Sequence, residues 1–239
     1  MGDFTDTQTG GPLRLELRSV DGRDFSVLRQ ISYHSDRFDD CFTVPADLAT
    51  FTTDLASVPT VFTWLVPVSG TFLPAAVLHD ALLDGDAYLG PRVDRTKADL
   101  IFRESMMELG TGTVRAWLMW SAVTVGTMRK SPSLARRAAL WMLIGVIAVL
   151  GALATGDLFD VWSVLPWMGD RPLWQELALG GLFAGLIPPV LALSWGKQWA
   201  AGTIVGLALA VLLHVTLVLL ALYAGYEALE RLLRKRQVR

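Results

Sequence analysis

Between Ala138 and Gly225 the chain carries six charged side chains, Asp157, Asp160, Asp170, Arg171, Glu176 and Lys197. All of them fall in or beside the breaks between three apolar runs, 138–155, 177–195 and 203–225. Such a stretch in water would need burial on every side, whereas a bilayer solvates it directly. A helix crossing the hydrocarbon needs about 20 apolar residues, with a range of about 17–25. The first run reaches that length with help from its flanks, and the third is the longest and cleanest. The second is interrupted by Pro188-Pro189. Tryptophans 162, 167 and 174 lie in the loop between the first two runs, where the membrane–water interface would receive them.

Ahead of Ala138 the composition is that of a water-soluble domain, so the mean hydropathy of +0.42 reflects the back half. The resulting map is a flexible tail at 1–12, a soluble domain at 13–130, and a basic linker at 131–137. A membrane domain at 138–226 and a basic amphipathic tail at 227–239 complete it. The fold class expected is a soluble α+β domain, a small antiparallel sheet packed on two or three helices, followed by an α-helical transmembrane domain. Net charge is -2, without the clustered basic face that nucleic acid requires. One cysteine, Cys41, excludes an internal disulfide and a multi-cysteine metal site. The first residues lack the basic start and apolar core of a signal peptide. Arg outnumbers Lys and Asn is absent, a bias that fits a GC-rich bacterial or phage genome.

Basic residues flank the membrane half on both sides: Arg129, Lys130, Arg136 and Arg137 before it, Arg231 to Arg239 after it. Both groups favour the cytoplasm under the positive-inside rule, yet three full crossings would separate them. A segment dipping in and returning at Pro188-Pro189 resolves the conflict, because broken helices are tolerated where protein or water covers the freed backbone. On this basis the soluble domain and the tail are both expected on the cytoplasmic side of a bacterial inner membrane.

In the soluble half, LRLELR (Leu13 to Arg18) alternates apolar and charged residues as a half-buried strand does. Asp21-Gly22 supplies a turn, and DFSVLRQISY (Asp24 to Tyr33) pairs with it as a hairpin. CFTVP adds a third strand ended by Pro45. Pro74 suits the first turn of a helix running to about Leu83. Asp94 is an N-cap for a second helix over Arg95 to Leu109, with Gly110 just past its end. A third helix spans Thr113 to about Met128.

Three strings concentrate the uncommon polar residues: TDLASVP (Thr53 to Pro59), AVLHDALL (Ala76 to Leu83) and DRTKAD (Asp94 to Asp99). A histidine with neighbouring carboxylates can activate water or help hold a divalent cation. It can equally be a buried hydrogen-bond network, with His79 satisfied by Asp54 or Asp99. Thr53, Asp54, Ser57 and Pro59 read as a structural motif, the Asx and Ser side chains capping backbone groups ahead of the proline. Arg95, Asp99 and Arg103 stand four apart and can form an ion-pair ladder along the second helix.

TDLASVP, then AAVLHD, then the R-x-x-x-D helix resembles the phage and prophage domain of unknown function DUF1353 over roughly Leu13 to Gly126. The strand ending in Val44-Pro45 ahead of TDLASVP belongs to the same resemblance. The family usually shows a tyrosine three residues after the HD pair, where this chain has Leu83. The resemblance, joined to the anchor, implies a membrane-anchored structural or interaction component acting in assembly, attachment or lysis at the bacterial inner membrane. Its partners would be the bilayer and other subunits of a phage-like or membrane assembly, a homo-oligomer included, with no nucleic acid.

HD followed twenty residues later by AD is also similar to the minimal core of parvoviral-type phospholipase A2. That similarity implies His79 activating water, Asp99 orienting its ring and Asp80 as metal ligand for calcium, the one cofactor this alternative would need. Calcium would polarise an ester carbonyl. The glycine-rich calcium loop of that core has no evident counterpart, and Leu83 again replaces a tyrosine. The alternatives to the structural role are therefore a calcium-dependent lipid or ester hydrolase, and an oligomeric pore-forming membrane effector.

Overall fold

The computed structural model describes residues 3–22, 24–55, 70–169 and 171–237. The chain divides into two compact units, 1–127 and 128–239.

The first unit holds two three-stranded antiparallel sheets. Strands β1 (Asp3–Asp6), β4 (Ile31–Ser35) and β5 (Asp40–Val44) form one in the order β1-β4-β5. Strands β2 (Leu17–Ser19), β3 (Phe25–Val27) and β6 (Thr52–Thr53) form the other in the order β2-β3-β6. The expected long strand over Asp24 to Tyr33 is therefore two strands in different sheets, and LRLELR contributes only its last two residues to β2. The tail expected at 1–12 is corrected as well, because Asp3 to Asp6 pair with Ile31 to His34. What fixes it is a buried aromatic row: Phe4 opposes Tyr33, which opposes Phe42, and the Phe4 and Tyr33 rings lie 4.6 Å apart. Strict alternation puts Ile31, Tyr33, Phe42 and Val44 on the same buried face. Each such side chain contributes about 1.5–3 kcal/mol by leaving water.

Helix α1 (Leu73–Leu83) starts at a proline-containing first turn and is apolar on nearly every side, so it is the internal helix of this unit. Helix α2 (Arg95–Glu108) begins where Asp94 accepts a hydrogen bond from the Lys97 N–H at 2.8 Å. It ends before Gly110, whose φ of 78° is the left-handed conformation expected there. Helix α3 (Thr113–Arg129) follows. Between α1 and α2, Leu89 exchanges backbone hydrogen bonds with Thr43 at 2.8 and 2.9 Å. The adjacent Gly90 has φ 144°, and a Cβ on it would meet the Cys41 carbonyl oxygen at 2.6 Å, so only glycine lets this loop lie against β5.

The second unit is helical. Helix α4 (Leu134–Leu158) is capped by Ser133, so most of the expected linker at 131–137 belongs to the helix. Helix α5 (Leu173–Ala192) runs straight through Pro188-Pro189. A six-residue 3-10 turn, Leu193–Gln198, then reverses the chain at Gly196, where φ is 59° and ψ -122°. Helix α6 (Trp199–Gln237) follows. The expected break at the prolines is thus displaced to Gly196. Close packing holds the proline turn in place: a Cβ on Gly206 would meet the Pro188 Cβ at 2.6 Å, and one on Gly202 the Ala192 Cβ at 3.0 Å. These pairs make α5 and α6 antiparallel. Gly206 also faces Ile147, and the Trp195 indole donates to the Ala139 carbonyl at 3.3 Å, so α4 runs in the direction of α6. At 1.5 Å per residue, α5 is about 30 Å long, enough to span a bilayer core.

Among the described residues two helical runs are long and apolar enough to cross a membrane, Leu134–Leu158 and Leu173–Leu212, the second including the turn. Only 17% and 11% of their most apolar stretches are buried. Trp141, Val149, Leu182, Leu186 and Val190 are exposed.

Candidate functional site

The site is built on α1. Successive residues of a helix point about 100° apart, so the adjacent His79 and Asp80 face different neighbours. His79 turns toward α2, where Asp99 and Phe102 occupy one face at i and i+3. The His79 Nε2 lies 2.9 Å from Asp99 Oδ1, and the imidazole stacks on the Phe102 ring with centroids 4.8 Å apart. The side chains are 7% and 1% exposed. Asp99 Oδ2 is buried and has no hydrogen-bond partner among the described residues.

Asp80 turns the other way, toward β6. Thr53 Oγ1 donates to its carboxylate and at the same time accepts from the Leu55 N–H at 2.9 Å. The first threonine of the TDLASVP string thus ties that string to α1. Burial pushes the Asp80 carboxyl up to about 6 and neighbouring Asp54 adds to it, against the opposing effects of the Thr53 hydroxyl and His79. Asp80 and Asp54 line an open groove of about 620 Å3 with Asp24, Asp47, Asp84 and Asp86. Leu55 has φ 62°, a left-handed backbone unusual for a branched residue. Ser57 and Pro59 lie outside the described residues.

The ladder expected along α2 does not form. Asp99 is committed to His79, and the Arg103 guanidinium sits 4.4 Å over the Trp117 ring and 4.7 Å over Trp120, a cation–π cradle on α3. Burial there pulls the Arg103 pKa down from its ordinary value. Arg95 makes no ion pair with a described residue.

Polar contacts that no motif announced join the β4–β5 hairpin to α2. The Tyr33 hydroxyl donates to Glu108 at 2.8 Å, Arg37 pairs with Glu104 at 2.5 Å and Lys97 with Asp40 at 2.6 Å. Only long-range pairing brings these residues together, so the sequence held no local signal for them. The acidic groove did leave a trace, since two of its carboxylates come from the turn Asp84-Gly85-Asp86.

Chemically, the carboxylate behind the His79 ring would fix its tautomer and stabilise an imidazolium. Phe102 and the surrounding core restrict the access that a general base needs. Asp80 and His79 have different hydrogen-bond partners, and among the described residues no three His, Cys, Asp or Glu side chains are grouped to hold a metal.

Residues 25–123, from β3 into α3, match the profile of a family described as a protein of unknown function (DUF1353). The match covers less than half of the chain and none of the second unit. No curated protein and no solved structure matches the chain.

Proposed function

We propose that this DUF1353-type domain, joined to membrane-length helices, works as a membrane-tethered structural or interaction component at a bacterial inner membrane. Assembly, attachment or lysis of phage-like particles is the setting the phage and prophage resemblance suggests. The observation that carries the proposal is the division of labour at α1. His79 is sealed against α2, where it joins two helices, and Asp80 is tied to the TDLASVP string. Each half of the HD pair makes a contact that joins two elements of the fold, which supports a structural role. The outward-facing apolar residues of α4 and α5 support the tether, because a water-soluble bundle buries such side chains.

Tethering orients the first unit toward one face of the bilayer. The basic cluster from Arg129 to Arg137 precedes the first span and favours the cytoplasm. Continuous α5, antiparallel to α4 and α6, supports three passes. Three passes carry the Arg231 to Arg239 tail to the face opposite the first unit.

A hydrolase of phospholipase A2-like chemistry is the second reading, favoured by the 2.9 Å contact of Asp99 with His79 Nε2. One experiment separates the two. In the full chain purified in detergent, a structural pair makes His79→Asn melt earlier, because Asp99 loses its partner at a cost of about 1–3 kcal/mol. Calcium then leaves the melting temperature of the wild type unchanged. A hydrolase would instead lose ester cleavage with its melting temperature intact. Calcium would stabilise its native state, and that stabilisation would vanish in Asp80→Asn.

A further inference from the structure

The second unit holds a cavity of about 350 Å3 between α4, α5 and the 165–168 loop, with Ala210 of α6 also lining it. Its walls are apolar apart from two side chains, Thr155 and Glu176. The Thr155 hydroxyl donates back to the Gly151 carbonyl at 2.7 Å. Glu176 is only 4% exposed, and its Oε1 has no hydrogen-bond partner among the described residues. Among the described residues, two charges of the adjoining loop have partners of their own. Asp157 accepts from the Val164 and Leu165 N–H groups at 2.9 and 2.8 Å, and Arg171 donates to the carbonyls of Met168 and Pro166.

A buried carboxylate oxygen with no partner carries a desolvation cost that a donor would relieve. Its position says what kind of donor. Glu176 lies in the first turn of α5, level with the end of α4 and beside the interfacial tryptophans. From there the cavity extends to Ile147, near the middle of α4, and to Pro188, in the last part of α5. Twelve residues separate Glu176 from Pro188, a rise of about 18 Å. The wall facing this path includes Trp167 stacked on Phe183 with ring centroids 4.4 Å apart, an aromatic face suited to a cation. Small residues, Ala154, Gly181 and Ala184 among them, leave the space open. Its volume falls in the range of small-molecule sites.

We infer that this cavity binds an amphipathic amine, its ammonium head at Glu176 and its single apolar chain running toward Pro188. The site stands apart from whatever the first unit does. It assigns to the membrane half a ligand role beyond anchoring.

The test follows thermal melting of the full chain, in an uncharged detergent, against octylammonium, octanol and octanoate. Octylammonium is expected to stabilise at concentrations at least about tenfold below octanol, the discrimination a charge-assisted hydrogen bond supplies, and octanoate not at all. Glu176→Gln should erase the preference for the amine over the alcohol. Gly181→Leu should abolish stabilisation by both, since a Cβ at Gly181 points into open space and the longer side chain fills the cavity. Equal responses to amine and alcohol in the wild type would overturn the inference. So would an amine response that survives Gly181→Leu, since it would place binding in the micelle or in the acidic groove. Should Glu176→Gln fail to fold, the Gly181→Leu comparison still decides.

Discussion

The two units expose opposite kinds of surface. In the first, Tyr33, Phe42, Phe72, Leu78 and Ile101 are withdrawn from solvent and carboxylates line the outer groove. In the second, Trp141, Leu182, Leu186 and Val190 face outward. The acidic groups Asp157 and Glu176 are buried there. One chain thus turns carboxylates outward in one unit and apolar side chains outward in the other, the second being the surface a bilayer would accept. What each unit leaves exposed, more than what it buries, tells the two apart.

The largest effect that could break this contrast is on solubility. A chain ending at Lys130 is expected to stay monomeric in buffer, whereas the full chain needs detergent. Size-exclusion chromatography without detergent checks this, and aggregation of the shortened chain would mean that the halves share one core.

A smaller effect sharpens the picture of the groove. Folding raises the Asp80 carboxyl from 3.8 to about 6, so between those values the native state holds more protons than the unfolded one. Stability from this group is present below pH 3.8 and falls as pH rises through 6. Asp80→Asn, which keeps an acceptor for Thr53, is expected to match the wild type near pH 3.5. By pH 7.5 it should be more stable by about 2–3 kcal/mol at 1.36 kcal/mol per pKa unit. Denaturant melts across that range measure the difference, and a gap independent of pH would show that Asp80 is not desolvated.

The smallest effect belongs to a feature that the sequence displayed openly. Asp94→Ala removes the α2 cap and should cost about 1 kcal/mol, read from the same melts.

That ordering tracks what could be read before the structure. Local patterns were legible: the Asp94 cap, the Gly110 stop, the proline start of α1 and the apolar runs each depend on a few neighbouring residues. The joining of His79 to Asp99 was also foreseeable as one of two partners, because each lies on a helix with a fixed face. Features set by distant pairing were not. Phe4 and Asp6 look like tail residues until β4 supplies their partners. Burial pushes the Asp6 carboxyl up, yet the N–H groups of Gln8 and Thr9 and the Arg29 guanidinium together bring it below the usual carboxylate range. Pro188-Pro189 suggested a break, but Gly206 packs against Pro188, and the reversal fell on Gly196, whose positive φ costs a glycine little. Glu176 looked like one more acid in a loop. Only the packing of α4 against α5 reveals that it is enclosed.

Cys41, the single cysteine and exposed on β5, permits the most direct test of the tethered arrangement. A membrane-impermeant maleimide is applied to intact spheroplasts expressing the full chain, and in parallel to a Cys41→Ser chain carrying Ser163→Cys in the exposed α4–α5 loop. With the first unit on the cytoplasmic side, Cys41 should react only after permeabilisation, and the cysteine at 163 should react without it. Labelling of Cys41 in intact spheroplasts, or protection of position 163, would contradict a cytoplasmic domain tethered by α4.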